Sequence, residues 1–175
     1  MKRIDFGKIV WFTGLSGAGK TTLSKKVKND LTQLNFKVKM IDGDDFRKKT
    51  KVKNKFTKKN ITENNMSIIR YIDKIKYKYD YIIVAVISPL LITRSKAREK
   101  FKKNYVEVLV KCNLRTLIKR DTKGLYKLAI EKKIKNLIGF NSKIVYEKSH
   151  YSKIIINSEI LDIKNSVKKI FKKIV

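Results

Sequence analysis

Apolar residues follow two alternating patterns along this chain, and together they predict an α/β fold. Short, nearly continuous apolar runs indicate buried strands at residues 8–13, 37–41, 81–87, 105–110 and 154–156. Apolar residues at helical spacing predict helices from residue 21, over 62–79, over 93–102, from Asn113 and at the C-terminus. The two terminal helices are marked by Leu23, Val27, Leu31 and Leu34, and by Ile163, Val167, Ile170, Phe171 and Ile174. Alternating strands and helices predict a three-layer sandwich, a parallel sheet with helices on both faces.

The whole chain, residues 1–175, is predicted to form a single domain. Its length suits one hydrophobic core, and no repeat or Gly/Ser-rich linker interrupts the sequence. Two basic segments, residues 47–60 and 120–149, fit the alternation poorly. We predict that both are mobile or are ordered by a ligand over the site, and that residues 120–149 act as a lid.

Composition excludes some classes of protein and leaves the meaning of the charge open. A hydrophobic fraction of 42% excludes a disordered chain, and no apolar run approaches the roughly 20 residues of a membrane span. The single cysteine, Cys112, excludes an internal disulfide, and the first residues show no secretory core, so we expect a cytoplasmic protein without a membrane partner.

The net charge of +29 has two interpretations, a nucleic-acid or anionic-membrane partner or a bias in composition. The basic residues are spread over every predicted helix face, and no aromatic residues interleave with them as a base-stacking surface requires. We therefore favour a bias in composition and expect no nucleic-acid partner.

Residues 14–21, Gly-Leu-Ser-Gly-Ala-Gly-Lys-Thr, match the phosphate-binding pattern G-x-x-x-x-G-K-[ST] between a predicted strand and a predicted helix. The glycines allow a tight loop whose N–H groups surround phosphate oxygens. Lys20 should reach the β- and γ-phosphates, and the Thr21 hydroxyl should bind Mg²⁺. The sequence therefore predicts ATP and Mg²⁺ as cofactors. The residues predicted here to bind ATP are Gly14, Leu15, Ser16, Gly17, Ala18, Gly19, Lys20, Thr21 and Thr22.

Two carboxylates, Asp42 and Asp44, follow the second predicted strand, at the sheet edge where α/β proteins bind ligands. Such groups can orient an acceptor hydroxyl, take its proton or hold Mg²⁺; the alternative is a polar turn bent at Gly43. The sequence lacks the Asn-Lys-x-Asp segment of switch GTPases, and the strand over 81–87 ends in Ser88-Pro89 rather than in an aspartate. The acidic pair therefore favours a kinase over a switch or a motor.

These blocks resemble the adenylylsulfate kinases, and the resemblance covers nearly the whole chain. The matching segments include Val10–Leu23, Asp42–Asp44 with Arg47, Phe56–Thr57, Glu63–Asn64, Val86–Pro89, Lys119–Asp121, Lys123–Lys127 and Ile134–Asn136. In that family ATP phosphorylates the 3′-hydroxyl of adenylylsulfate during sulfate assimilation. The resemblance therefore implies a phosphotransferase with an alcohol acceptor, a small nucleotide as its partner, and a homodimer.

The resemblance also implies a role for individual residues. It places Asp42, Asp44, Lys20 and Ser88 in catalysis, with Thr21 and Asp44 at the metal. It places Arg120 with the ATP-binding residues in the lid. The residues implied to contact the acceptor are Asp42, Asp44, Arg47, Phe56, Asn64, Ile87, Ser88, Lys123 and Leu137. Ser88 matches a serine described in the family as a phosphoserine intermediate, although direct transfer to a bound hydroxyl needs no serine relay.

The departures from the family pattern all fall on the acceptor side. Ile61 stands in place of an arginine, Leu90-Leu91 in place of Tyr-Arg, and Leu137 in place of a base-stacking phenylalanine. Pro-Tyr-Glu is reduced to Val145-Tyr146-Glu147. A kinase for another nucleotide, such as cytidine diphosphoramidate in capsule synthesis, remains an alternative, as does a basic, ATP-switched module that binds nucleic acid.

Overall fold

A computed structural model describes residues 6–49, 57–152 and 154–175, and its central feature is a five-stranded parallel sheet. The strands are β1 (Lys8–Thr13), β2 (Val38–Asp42), β3 (Tyr81–Ala85), β4 (Tyr105–Lys111) and β5 (Ile154–Asn157). The helices are α1 (Lys20–Gln33), α2 (Gly43–Lys49), α3 (Lys58–Ile75), α4 (Leu91–Phe101), α5 (Leu114–Arg120), α6 (Leu125–Ile130) and α7 (Ile163–Ile174). The strand order β2-β3-β1-β4-β5, with every pair parallel, confirms the predicted fold class.

The core has two halves, one on each face of the sheet, because β1 is buried on both sides. Val10 and Phe12 face the cluster formed with α1 and α7, where Val27 and Ile170 pack. Ile9 and Trp11 face the opposite cluster, which is built with α3 and α4. A strand covered on both faces presents a continuous apolar run, which is why the sequence pattern located β1 correctly.

Some element boundaries differ from the predicted ones by a few residues. Helix α3 begins at Lys58 rather than at residue 62, because the Thr57 side chain accepts a hydrogen bond from the Asn60 N–H and caps the helix. Strand β3 ends at Ala85, two residues before the predicted end. Leu34 lies at the end of α1 and is exposed, so it does not belong to the apolar face of that helix.

The two basic segments are partly regular structure. The described part of the first contributes the end of α2 and the start of α3. The second contains α6 and leads into a long stretch, residues 131–152, without helix or strand among its described residues. Across the described residues, no helix has the length and apolar character that crossing a membrane requires.

Candidate active site

A single cleft at the carboxyl ends of the strands collects most of the predicted site residues. Those that line it are Ser16, Gly17, Gly19, Lys20, Thr21, Thr22, Asp42, Asp44, Arg47, Asn64, Ile87, Ser88, Lys123 and Leu137. Gly14, Leu15, Ala18 and Arg120 are described but do not line it. Phe56, the predicted base-packing residue, lies outside the described residues.

The phosphate-binding loop connects β1 to α1, as its sequence pattern predicted. Gly14 adopts a φ of 140°, and a Cβ there would lie 2.3 Å from the Val110 carbonyl oxygen, so the loop needs glycine at that position. Gly19 has a φ of 99° and is the N-cap of α1, which directs the first N–H groups of the helix into the cleft. This geometry can hold the phosphates of a nucleotide.

Lys20 is only 9% exposed, and its ammonium group donates a hydrogen bond to the Leu15 carbonyl across the loop at 2.7 Å. Burial lowers the pKa of Lys20 to about 8, and the charge of Lys123 adds to this, whereas Asp44 and Asp42 oppose it. A desolvated cation in the cleft is stabilised by a bound anion, so the loop favours a polyphosphate.

Thr21 and Asp42 form the most direct candidate for a magnesium site. The Thr21 hydroxyl donates to Oδ2 of Asp42 at 3.1 Å, while Oδ1 of the same carboxylate accepts from the Asp44 N–H at 2.9 Å. No cluster of three or more His, Cys, Asp or Glu side chains suits a metal within the described part of the chain. One hydroxyl and one carboxylate fit Mg²⁺, which usually completes its shell with water and substrate phosphates. The structure thus brings Asp42, rather than the predicted Asp44, next to Thr21.

Asp44 instead makes two ion pairs, with Arg47 at 2.5 Å and with Lys123 at 2.7 Å. Desolvation, which opposes ionisation, is outweighed by the hydrogen bond and charge of Lys123 and by those of Arg47, so the pKa of Asp44 lies below its usual value. An ionised carboxylate therefore faces the cleft, and Lys123, which lies between α5 and α6, reaches it directly.

The acceptor loop, residues 86–90, follows β3 and forms another wall of the cleft. Ser88 is almost fully buried, and its hydroxyl accepts a hydrogen bond from the Asn65 side-chain amide at 3.2 Å. The Ile87 carbonyl accepts from the Thr13 hydroxyl at 2.5 Å and from the Gly14 N–H at 3.4 Å. The loop therefore lies directly against the phosphate-binding loop, and the Ser88 hydroxyl is held within the protein.

Asn64 supplies an unsatisfied polar group on the acceptor side. It is 4% exposed, lines the cleft from α3, and its Oδ1 has no hydrogen-bond partner among the described residues. A buried acceptor atom without a partner is costly unless a ligand supplies a donor. The position is therefore suited to a ligand hydroxyl or amine.

Leu137 and Ile138, in the long stretch that follows α6, lie at the edge of the cleft. Leu137 lines the cleft and also packs into the core cluster beside α1 and α6. Ile138 joins a small apolar cluster with Ile61, Leu90 and Ile144, which spans α3, the acceptor loop and the lid. The acceptor side of the cleft is thus closed by apolar side chains.

Tyr126 does not line the cleft but supports the phosphate-binding loop from behind, a role that the sequence reasoning did not single out. Its hydroxyl donates to the Ser16 carbonyl at 3.0 Å and so ties α6 to the phosphate-binding loop. Burial, with a smaller contribution from Asp121, raises the pKa of Tyr126 to about 12, which keeps the donor protonated. The signal that could have found it is its place within the Lys-Gly-Leu-Tyr-Lys segment at residues 123–127.

Arg120 points away from the cleft in this structure. Its guanidinium donates to the Ser158 carbonyl at 2.8 Å, beyond the end of β5. The prediction that Arg120 binds ATP therefore gains no support from its position here.

Together, the phosphate-binding loop and the carboxylates of Asp42 and Asp44 in one cleft define a P-loop kinase, an ATP-using phosphotransferase. The chain belongs to the adenylylsulphate kinase family, whose model matches residues 6–157. It is 38% identical over 153 residues to a probable adenylyl-sulfate kinase of Pyrococcus abyssi, covering 87% of this chain and 86% of the relative.

Further comparisons agree with this family. A probable adenylyl-sulfate kinase of Archaeoglobus fulgidus is 32% identical over 151 residues, covering 86% of this chain and 96% of the relative. Among solved structures, the Mycobacterium tuberculosis APS kinase CysC in complex with AMPPNP and APS superposes with a TM-score of 0.87 at 26% identity, covering 95% of this chain and 96% of that one.

Proposed function

We propose that this protein is an adenylylsulfate kinase, which transfers the γ-phosphoryl group of ATP to the 3′-hydroxyl of adenylylsulfate and yields 3′-phosphoadenylylsulfate. The observation that carries the proposal is one cleft in which Lys20 and Thr21 of the phosphate-binding loop face Asp42 and Asp44, with Asn64 on the acceptor wall. Family membership supports the same acceptor.

The donor half of the site holds and orients ATP. The N–H groups of the loop and the N-terminus of α1 surround the phosphates, and Lys20 exchanges the Leu15 carbonyl for a phosphate oxygen. Thr21 and Asp42 would hold Mg²⁺, which when bound neutralises charge on the β- and γ-phosphates. The role of these residues is mainly positioning and electrostatic stabilisation.

The acceptor half presents the hydroxyl to the γ-phosphorus. Asp44 is ionised and faces the cleft, so it can accept a hydrogen bond from the 3′-hydroxyl and take its proton as the new O–P bond forms. The bond between the γ-phosphorus and the β–γ bridging oxygen breaks, and ADP leaves. Asn64 and Arg47 are placed to contact the nucleotide, and Lys123 to contact the transferred group or the acceptor.

We further propose that Ser88 acts by position and is not phosphorylated in the reaction. The Asn65 amide donates to its buried hydroxyl, which also lies 3.4 Å from Thr93. Direct transfer within one cleft needs no relay. Residues 120–149 are proposed to act as the lid of a single domain comprising residues 1–175.

An acceptor screen tests the proposal. Purified protein is incubated with ATP, Mg²⁺ and a panel of nucleotides that contains adenylylsulfate and cytidine diphosphate derivatives, including cytidine diphosphoramidate. We expect rapid ADP formation with adenylylsulfate, and a product that carries phosphate on the 3′-position. Faster turnover of a cytidine acceptor would instead favour the alternative, a kinase for a cytidine nucleotide. The structural reason to consider that alternative is the apolar wall formed by Ile61 and Leu137.

Two further proposals concern the cellular compartment and the oligomeric state of the protein. We propose a cytoplasmic enzyme that forms a homodimer, on the basis of its family and of its single cysteine. Light scattering of the purified protein measures the assembly, and a monomeric mass would contradict the dimer.

A further inference from the structure

A fully buried arginine, Arg94 on α4, lies behind the acceptor loop and does not line the cleft. Its guanidinium donates one hydrogen bond to the Ser88 carbonyl at 2.5 Å and another to the Glu147 carbonyl. One side chain therefore joins the acceptor loop to residues 145–147, the segment in which the lid ends. The planar fork of arginine suits this task, because it holds two acceptors at fixed angles.

The charge of Arg94 is balanced inside the protein. Glu107 on β4 is also fully buried, and its carboxylate lies 3.6 Å from the Arg94 Nε. The same carboxylate accepts hydrogen bonds from the Ser152 hydroxyl at 2.6 Å and from the Tyr105 hydroxyl at 3.3 Å. The hydroxyls of Ser152 and Tyr105 hold the Glu107 carboxylate in place, and its charge balances that of Arg94, although the Arg94 Nε itself makes no hydrogen bond to a described residue.

Residues 145–147 are fastened to the acceptor loop independently of Arg94. The Glu147 N–H donates to the Pro89 carbonyl at 2.9 Å, and the Glu147 carboxylate accepts from the Leu91 N–H, the first residue of α4, at 2.5 Å. The Tyr146 hydroxyl lies 2.8 Å from the Thr13 hydroxyl, which itself donates to the Ile87 carbonyl. The acceptor loop is thus held between the end of the lid and the end of β1.

The backbone of the acceptor loop is strained at Ser88 and needs its surroundings to hold it. Ser88 adopts a φ of 45°, in the left-handed region that residues other than glycine rarely occupy. Strained backbone of this kind persists only when its surroundings hold it, and the Ser88 carbonyl is held by Arg94. Releasing that contact would allow the loop to relax away from the cleft.

We propose that Arg94 is a positioning residue, held by Glu107, that sets the acceptor loop and the end of the lid as one unit and thereby determines acceptor affinity. The inference rests on the proposed function only for the identity of the acceptor. It predicts that disturbing Arg94 weakens acceptor binding selectively, because the ATP-binding loop makes no contact with the guanidinium in the hydrogen bonds described.

The test is the Arg94→Lys variant, which keeps the charge opposite Glu107 but cannot hold both carbonyls. We expect the KM for the acceptor to rise about tenfold, the scale of losing a charge-assisted hydrogen bond, while the KM for ATP and kcat stay within about twofold. Arg98→Lys is the matched control, since Arg98 lies one turn along α4 and stacks on Tyr151 instead of reaching the acceptor loop. Its kinetics should match the parent.

Hydrogen exchange gives a readout that needs no substrate. In Arg94→Lys, the amide protons of Leu91 and Glu147 should exchange faster than in the parent, whereas those of β1 should not. If the parent prefers a different acceptor in the screen, the KM comparison moves to that acceptor and the exchange experiment is unchanged. A wrong assignment of the acceptor can therefore be distinguished from a wrong assignment of the role of Arg94.

Two results would overturn the inference. One is an equal rise in both KM values, and the other is exchange at Leu91 and Glu147 that does not differ from the parent. If Arg94→Lys does not fold, Glu107→Gln takes its place, because it keeps the shape of the side chain opposite Arg94 and removes only its charge. We then expect a rise of about threefold in the acceptor KM alone, and an unchanged acceptor KM counts against the proposal.

Discussion

Replacing Lys123 with alanine separates two roles that the structure gives this side chain. Lys123 forms an ion pair with Asp44 across the cleft at 2.7 Å, which connects the lid to α2. Lys123 also lines the cleft, where we propose that its ammonium group faces the transferred phosphoryl group. A structural role predicts a small loss of stability, whereas a catalytic role predicts a large loss of rate.

The contribution of the Lys123–Asp44 ion pair to stability can be estimated from the exposure of its two side chains. The Lys123 and Asp44 side chains are 47% and 50% exposed, and pairs of this kind contribute about 0–1 kcal/mol. For a domain of this size, about 1 kcal/mol shifts Tm by roughly 2–4 °C and would change a rate by about fivefold at most. Removing a preorganised cation from the transition state costs about a hundredfold or more in kcat.

The assay measures Tm by calorimetry and kcat from ADP release with saturating ATP and acceptor. The control is Lys133→Ala, because Lys133 makes a comparably short and exposed ion pair with Glu131 at 2.8 Å, but neither residue lines the cleft. We expect both variants to lose only a few degrees of Tm and only Lys123→Ala to lose turnover. A loss of turnover in Lys123→Ala that is no greater than about fivefold would refute the catalytic role.

Three further predictions follow from the phosphate-binding loop and the acceptor loop. Lys20→Ala should lower kcat about a hundredfold or more while the far-ultraviolet circular dichroism is unchanged, and a folded variant that keeps most activity would contradict the assignment of the loop. ATP affinity should fall as pH rises through about 8, because Lys20 of the free protein then loses the proton that bound phosphates stabilise. Calorimetry in buffers of different ionisation enthalpy should show proton uptake when ATP binds, and Lys20→Ala should abolish that uptake. Ser88→Ala should reduce activity by less than about tenfold, and a phosphoserine trapped in the parent and seen by intact-mass measurement would disprove direct transfer.

The sheet and the donor half of the site could be predicted from sequence because their determinants are local. Strands covered on both faces leave continuous apolar runs, and β1, β3 and β4 were located within two residues of their ends. The phosphate-binding loop depends on glycines whose backbone angles few other residues adopt, such as Gly14 and Gly19, so its sequence pattern is specific.

The lid could not be predicted in detail, since its contacts are made with residues far away in the chain. Residues 131–152 form no helix or strand, so no periodicity marks them. They are held by side-chain contacts such as that of Tyr146 with Thr13 and that of Glu147 with Leu91. Which aspartate lies next to Thr21 could not be predicted from sequence for a similar reason: both aspartates follow β2, and only the geometry shows that the Thr21 hydroxyl bonds to Asp42.

Two of the departures from the family pattern on the acceptor side, Ile61 and Leu90, lie in the same apolar cluster. Ile61, where the family resemblance leads one to expect an arginine, and Leu90, where it leads one to expect a tyrosine, are distant in sequence but pack together with Ile138 and Ile144. Ile61 and Leu90 thus join Ile138 and Ile144 in one buried apolar cluster between α3, the acceptor loop and the lid. A lone arginine at position 61 would lose its hydration in this cluster. We therefore propose that apolar burial holds the lid against the acceptor loop, and that the cleft residues Asn64, Arg47 and Lys123 supply the polar recognition of the acceptor.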